Sequence, residues 1–179
     1  YFGDTWLWDG SNWVAQKPAH SPAARAWTSL AYDPATGQLV LFGGANSSTP
    51  FGDPWNWDGD DWTQQSPQTS PTARAGAGLA YDRATGQMVL FGGRDADFDS
   101  LADTWTWDGS NWTQQDPAAS PSARQYPSLS YDSGTGQLVL FGGRDDSTLA
   151  DTWVWNGGNW IQQSPAASPP ARSQATSAF

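Results

Sequence analysis

A chain of 179 residues with 18 Asp, no Glu, seven Arg and a single Lys carries a formal charge of −10, a balance that disfavours nucleic acid and anionic membrane surfaces as partners. The absence of Cys rules out disulfides and thiolate metal sites, and no apolar run approaches the length of a transmembrane helix. Asp without Glu, together with 19 Gly, 13 Pro and 13 Trp, predicts short strands joined by many turns rather than helices.

In chain order, Tyr1 to Trp6 does not read as a charged and apolar leader, and the chain begins inside a repeat. That start predicts a processed precursor or a piece of something larger. The motif Trp-x-Trp-Asp/Asn-Gly then occurs with its second Trp at Trp8, Trp57, Trp107 and Trp155, at intervals of 49, 50 and 48 residues. Phe-Gly-Gly starts at Phe42, Phe91 and Phe141, and Ser-Pro-x-Ala-Arg ends at Arg25, Arg74, Arg124 and Arg172. A period near fifty residues decides the architecture before any single motif does.

Each unit reads as four strands, A to D. Strand A follows the Arg, as in Ser128 to Tyr131, and ends in an Asp-x-x-Thr-Gly turn. Strand B, as in Gln137 to Phe141, is apolar on successive residues and stops at Gly-Gly. Strand C, Asp-Thr-Trp-x-Trp, sends both indoles to one face by its period of two. The Asp-Gly or Asn-Gly pair after it predicts a hairpin to strand D, as in Asn111 to Gln115. No segment shows a 3.6-residue period.

These residues predict an all-β fold: a β-propeller of four-stranded antiparallel blades, three complete and a fourth split between the chain ends, as a four-bladed unit in one domain. The expected division is 1–17 for strands C and D of the closing blade, 18–67, 68–117 and 118–165 for the complete blades, and 166–179 for strand A of the closing blade. The closing blade then lacks strand B. The Arg, the apolar strand ending in Phe-Gly-Gly, and the Asp-Thr-Trp-x-Trp strand with a lone Trp in strand D resemble the kelch-repeat family, specifically a bacterial secreted kelch-like protein. That resemblance implies strand A along a central channel, strand D outermost, and loops on one face that recognise a glycan or a protein.

Length changes within the unit fall only between Gly-Gly and strand C, in the B–C loops 45–52, 94–102 and 144–150. The face bearing them is the candidate binding face. Twelve of the thirteen Trp sit at repeat positions and read as core. Trp27 does not, and its repeat equivalents are Gly76, Tyr126 and Gln174. Trp27, Tyr126 and the loop residues Phe51 and Phe98 are therefore the candidate ligand or partner contacts. Arg25, Arg74, Arg124 and Arg172 read as structural, pairing with nearby Asp and hydrogen-bonding backbone carbonyls between blades. Asp95, Asp97 and Asp99 alternate like part of a calcium loop and are the candidate metal ligands, although a solvated acidic loop is the simpler reading. No other cofactor is expected.

One His, His20, with no Cys and no Glu leaves few ways to assemble an acid, base or nucleophile, so an enzyme is not expected. The leading expectation is an extracellular or cell-surface structural scaffold that self-assembles, into closed or filamentous arrays, by strand complementation at its incomplete blade. The edge residues are Asp4, Thr5, Trp6, Leu7 and Trp8 on one side and Thr176, Ser177, Ala178 and Phe179 on the other. Its partners are copies of itself or adjacent propeller units. The alternatives are a glycan- or protein-binding module using the B–C face, and a fragment of a six- to eight-bladed propeller.

Overall fold

A computed structural model describes residues 1–47 and 49–177. Its described residues form strands and turns without an α-helix. A two-stranded ribbon, β1 (Trp6–Trp8) and β2 (Trp13–Ala15), precedes the first blade. Blade 1 pairs β3 (Ser29–Asp33), β4 (Gln38–Phe42), β7 (Pro54–Trp57) and β8 (Trp62–Gln64) in that order, and a small ribbon, β5 (Ala45–Asn46) with β6 (Thr49–Pro50), decorates its B–C loop. Blade 2 is β9 (Gly78–Asp82), β10 (Gln87–Phe91), β11 (Thr104–Trp107) and β12 (Trp112–Gln115). Blade 3 is β13 (Ser128–Asp132), β14 (Gln137–Phe141), β15 (Thr152–Trp155) and β16 (Trp160–Gln163). Every pairing is antiparallel.

The inner strand β9 packs between β3 and β13. Segments 28–30, 77–79, 127–129 and 175–177 together line a channel of about 280 Å³. Residues 173–177 therefore take strand A's place around the channel, yet they form no strand. The physical reason is the lack of a neighbour: each complete inner strand is laddered to its own strand B, and among the described residues none pairs with this segment. Ser177 instead shares its hydroxyl with Ser128 at 2.6 Å and Ser130 at 2.5 Å. Ala178 and Phe179 lie outside the described residues.

Blades adhere through strand B. Val40 and Phe42 of β4 join Leu79, Met88, Leu90, Trp107 and Trp112 of blade 2 in one core. Val89 and Phe91 of β10 repeat this against Leu138, Leu140, Trp155 and Trp160. Apolarity on successive residues is thus a consequence of burial on both faces. The strand-D indole reaches further: Trp62 Nε1 donates to Thr5 Oγ1 and Trp160 Nε1 to Thr104 Oγ1, both at 2.9 Å. Trp112 is the exception. Its acceptor position is Pro54, and its Nε1 is buried without a partner.

The repeating Arg joins consecutive blades. Through its backbone it docks on the blade before: Gly44 N–H donates to Arg74 O at 2.9 Å, and Arg74 N–H to Phe51 O at 3.0 Å. Arg124 and Arg172 repeat both bonds. A Cβ on Gly43, Gly92 or Gly142 would lie within about 2.5 Å of that Arg carbonyl, and all three glycines have φ between 63° and 70°, so only glycine serves there. Through its side chain the Arg holds its own blade. Arg74 Nη1 donates to Gly92 O at 3.0 Å, and the guanidinium grips Asp103 bidentately at 2.6 and 2.8 Å. Asp103 Oδ2 also accepts from Trp105 Nε1 at 2.7 Å. Arg25 with Asp53 and Trp55, and Arg124 with Asp151 and Trp153, repeat the arrangement.

Burial opposes ionisation of Asp53, Asp103 and Asp151, but the guanidinium and indole donors outweigh it and hold all three carboxyls below the ordinary 3.8. Folded-state values below the unfolded ones stabilise fully above the unfolded pKa, and that stability is lost as pH falls through the lowered values. Urea midpoints should therefore be level near neutrality and fall progressively below about pH 4. Asp103→Asn strips the charge from the partner of a fully buried guanidinium, and chemical denaturation should show a loss of about 3–5 kcal/mol. Pro54→Thr supplies the acceptor that Trp112 lacks. Satisfying a buried donor gains about 1–3 kcal/mol against about 0.4–1 kcal/mol of lost proline restriction, so the same measurement should show a net gain of about 1 kcal/mol.

Candidate functional site

The B–C loops and the starts of the inner strands surround a cavity of about 580 Å³ at one mouth of the channel. Trp27, Tyr126 and Phe98 all line it. Phe51 does not: it stacks on the Arg25 guanidinium, 3.9 Å from its ring centroid, and its carbonyl accepts from Arg74. Phe51 is thus a loop anchor, a role its repeat equivalents Leu101 and Leu149 share through the same carbonyl bond.

The backbone explains why Trp27, Gly76, Tyr126 and Gln174 occupy equivalent places. All four have left-handed φ, between 55° and 68°. That turn aims each N–H at the carbonyl of the one before: Gly76 N–H donates to Trp27 O at 2.9 Å, Tyr126 N–H to Gly76 O at 2.6 Å, and Gln174 N–H to Tyr126 O at 3.1 Å. An arc of backbone bonds thus rims the mouth. Three of these four residues carry side chains in a conformation that costs them about 1 kcal/mol or more. Gly76 has a second reason to be glycine, because a Cβ there would sit 2.4 Å from the Tyr126 ring.

Arg94 forms the floor. It is only 4% exposed, its guanidinium lies 4.4 Å from the Phe98 centroid and 5.6 Å from that of Trp27, and among the described residues that guanidinium makes one hydrogen bond, a long one of 3.5 Å from Nη1 to Asp95 O. Among the described residues no carboxylate pairs with it. Asp99, Asp145 and Asp146 add negative charge to the cavity wall, and Arg144 a second cation. The pairing of an unspent buried cation with exposed aromatic faces suits an inserted side chain or loop that brings both apolar surface and an acceptor.

Arg94 and Arg144 were not among the residues singled out from the sequence. Their signal was present, since they stand immediately after Gly-Gly where the first repeat has Ala45. Asp95 is occupied by its own loop: its Oδ1 accepts from the backbone N–H of Asp97 and of Asp99, both at 3.0 Å. Among the described residues no three acidic or imidazole groups converge as a metal site. His20 pairs with Asp61, Nδ1 to Oδ2 at 2.8 Å, on an exposed turn.

At the blade edge, Thr5 spends its hydroxyl on Trp62, and Leu7 packs on the core of blade 1. Trp6 and Trp8 remain about half exposed, at 48% and 54%. Asp4 accepts from Trp6 Nε1, as Asp53, Asp103 and Asp151 do from their own indoles, but among the described residues no guanidinium holds it.

No curated protein matches the chain. A family profile described as the KLHDC2/KLHL20/DRC7 Kelch-repeats domain matches residues 3–179. Kelch-repeat propellers are protein-binding or scaffold modules, generally without catalytic activity. The profile spans nearly the whole chain, and each blade repeats the same Arg–Asp–Trp relay and glycine pair: the chain belongs to the kelch-repeat family of β-propellers.

Proposed function

We propose that this propeller is a non-catalytic scaffold acting outside the cell, and that its mouth cavity is where it holds a protein partner. The observation that carries the reading is the convergence of Trp27, Tyr126 and Phe98 on the buried Arg94 in one cavity. These are positions where the repeat stops repeating, so generic packing does not account for them. The aromatic walls give an inserted side chain apolar contact, Arg94 gives it an acceptor-selective donor, and the Asp residues of the wall favour a partner with basic groups around the inserted one. Sugar recognition by the same indole and phenol faces is the competing use of this site.

A second reading concerns the incomplete blade. Among the described residues strand β1 is paired only with β2, whereas β7, β11 and β15 are each paired on both sides. An unpaired edge of this kind supports assembly with copies of itself or with adjacent propeller units.

Selection of binders from a peptide-display library on the 179-residue protein should yield sequences whose affinity falls at least about tenfold in both Trp27→Ala and Arg94→Ala. Binders indifferent to both substitutions would sink the mouth reading, and a glycan-array signal lost with Trp27→Ala would transfer it to sugars.

A further inference from the structure

The C–D turn of blade 3 differs from the other three at the residue that opens it. In chain order that residue is Asp9, Asp58, Asp108 and then Asn156, each followed by a glycine whose φ lies between 96° and 108°. Its side-chain oxygen has the same duty throughout, which is to accept the backbone N–H groups of the residues two and three further on. For Asp9, Asp58 and Asp108 these bonds measure between 2.7 and 2.9 Å. Those donors, Asn12, Asp61 and Asn111 foremost, hold the three carboxyls below the ordinary 3.8. For Asn156 the bonds are 3.2 Å from Gly158 N–H and 2.9 Å from Asn159 N–H. A turn suited to a carboxylate here holds a neutral amide.

The same geometry prepares that amide for loss. Asn-Gly occurs once in the chain, since Asn12, Asn56, Asn111 and Asn159 are followed by Trp and Asn46 by Ser. Glycine has no Cβ to keep its backbone nitrogen away from the preceding side chain. Among the described residues neither Gly157 N–H nor the Nδ2 of Asn156 has a hydrogen-bond acceptor, and Asn156 is exposed, so water reaches both. Asn156 Oδ1 meanwhile sits between two backbone donors, where negative charge develops when its Cγ is attacked.

We propose that Asn156 is a self-modifying site, which its own turn converts to aspartate with water as the only co-reactant. The Gly157 nitrogen gives up its proton and bonds to Asn156 Cγ. The Cγ–Nδ2 bond breaks, and Nδ2 leaves as ammonia with its two hydrogens and one proton, which closes a five-membered succinimide. Water then adds to the ring and the Gly157 nitrogen regains a proton. Opening at Cγ restores the ordinary chain with an aspartate at position 156. Opening at the backbone carbonyl gives isoaspartate, with one more methylene in the chain path. The fold favours the first outcome, because only an aspartate carboxylate can take both N–H bonds as Asp9, Asp58 and Asp108 do. There is little slack for the second: a Cβ on Gly157 would lie 3.0 Å from Thr85 Cγ2, in the A–B turn of blade 2. The product adds one negative charge to a chain already at −10. It does so beside an A–B turn, away from the residues that line the mouth cavity.

The test is incubation of the 179-residue protein in mildly alkaline buffer, folded and in urea. Peptide mapping by mass spectrometry, with aspartyl and isoaspartyl forms separated by chromatography, follows each Asn. In the folded protein position 156 should be the one Asn converted, aspartate the main product, and conversion faster than in urea, where the two donors are lost. Gly158→Pro deletes one of those donors on an exposed residue and should slow conversion at least about tenfold in the folded state, with no change in urea. The comparison of folded with unfolded parent stands whether or not that variant keeps the turn. An Asn156 that survives in the folded protein while it converts in urea, isoaspartate as the main folded product, or one rate common to folded parent, unfolded parent and variant overturns the proposal.

Discussion

The arginine at the start of each inner strand is the contact on which the remaining structure depends. Its backbone belongs to one blade and its side chain to the next, so a single residue fixes both the spacing between blades and the position of strand C within a blade. Burying a guanidinium is costly unless it is paired and fully hydrogen-bonded. Here the cost is met by a bidentate carboxylate, a glycine carbonyl and a local carbonyl, and the carboxylate is fixed in turn by an indole N–H. The requirement for close backbone approach then dictates the glycine pair. Arg, Gly-Gly, Asp and the first Trp of strand C are therefore one device and not four motifs.

Hydrophobic burial supplies the rest of the cohesion, and it is distributed unevenly for a geometrical reason. Strand B must be covered on both faces, which happens only for a blade with neighbours on both sides. Blade 2 satisfies this and has its strand B fully buried from Met88 to Phe91. Blades 1 and 3 each have one neighbour that is complete and one that is not, and their outward residues are correspondingly more exposed. The same chemistry thus yields core in the middle of the molecule and partly exposed apolar surface at its two flanks.

The mouth of the channel follows a different rule. Its rim is set by backbone bonds between residues in left-handed conformation, so the side chains there are unconstrained by the packing that fixes the blades. A position whose structural duty is discharged by its backbone can carry Trp, Tyr or Gln without loss of the fold, and Gly76 is held to glycine only by the Tyr126 ring beside it. That freedom lets the rim vary from blade to blade while the scaffold does not, and it leaves Trp27 and Tyr126 lining one cavity with the buried cation of Arg94.

The sequence by itself determined the repeat, the strand order within each blade, the antiparallel pairing and the pairing role of Arg25, Arg74 and Arg124, because these rest on local periodicity and on turn chemistry repeated several times over; Arg172, which the same repeat marks, pairs with no Asp among the described residues. It also singled out Trp27 and Tyr126, by their failure to repeat, and Phe98, by its place in a variable loop, and the fold sets all three around one cavity. It could not separate Phe51 from them, since anchoring a loop through a carbonyl and an Arg stack leaves no pattern in a single residue's identity. Only the tertiary structure decided that Arg94 is buried beneath two aromatic rings, that Pro54 leaves the Trp112 indole without an acceptor, and that residues 173–177 lie along the channel without joining a sheet. Each of these depends on contacts between blades, where residues some fifty positions apart or more meet, and a repeat specifies its neighbours only when every unit is present.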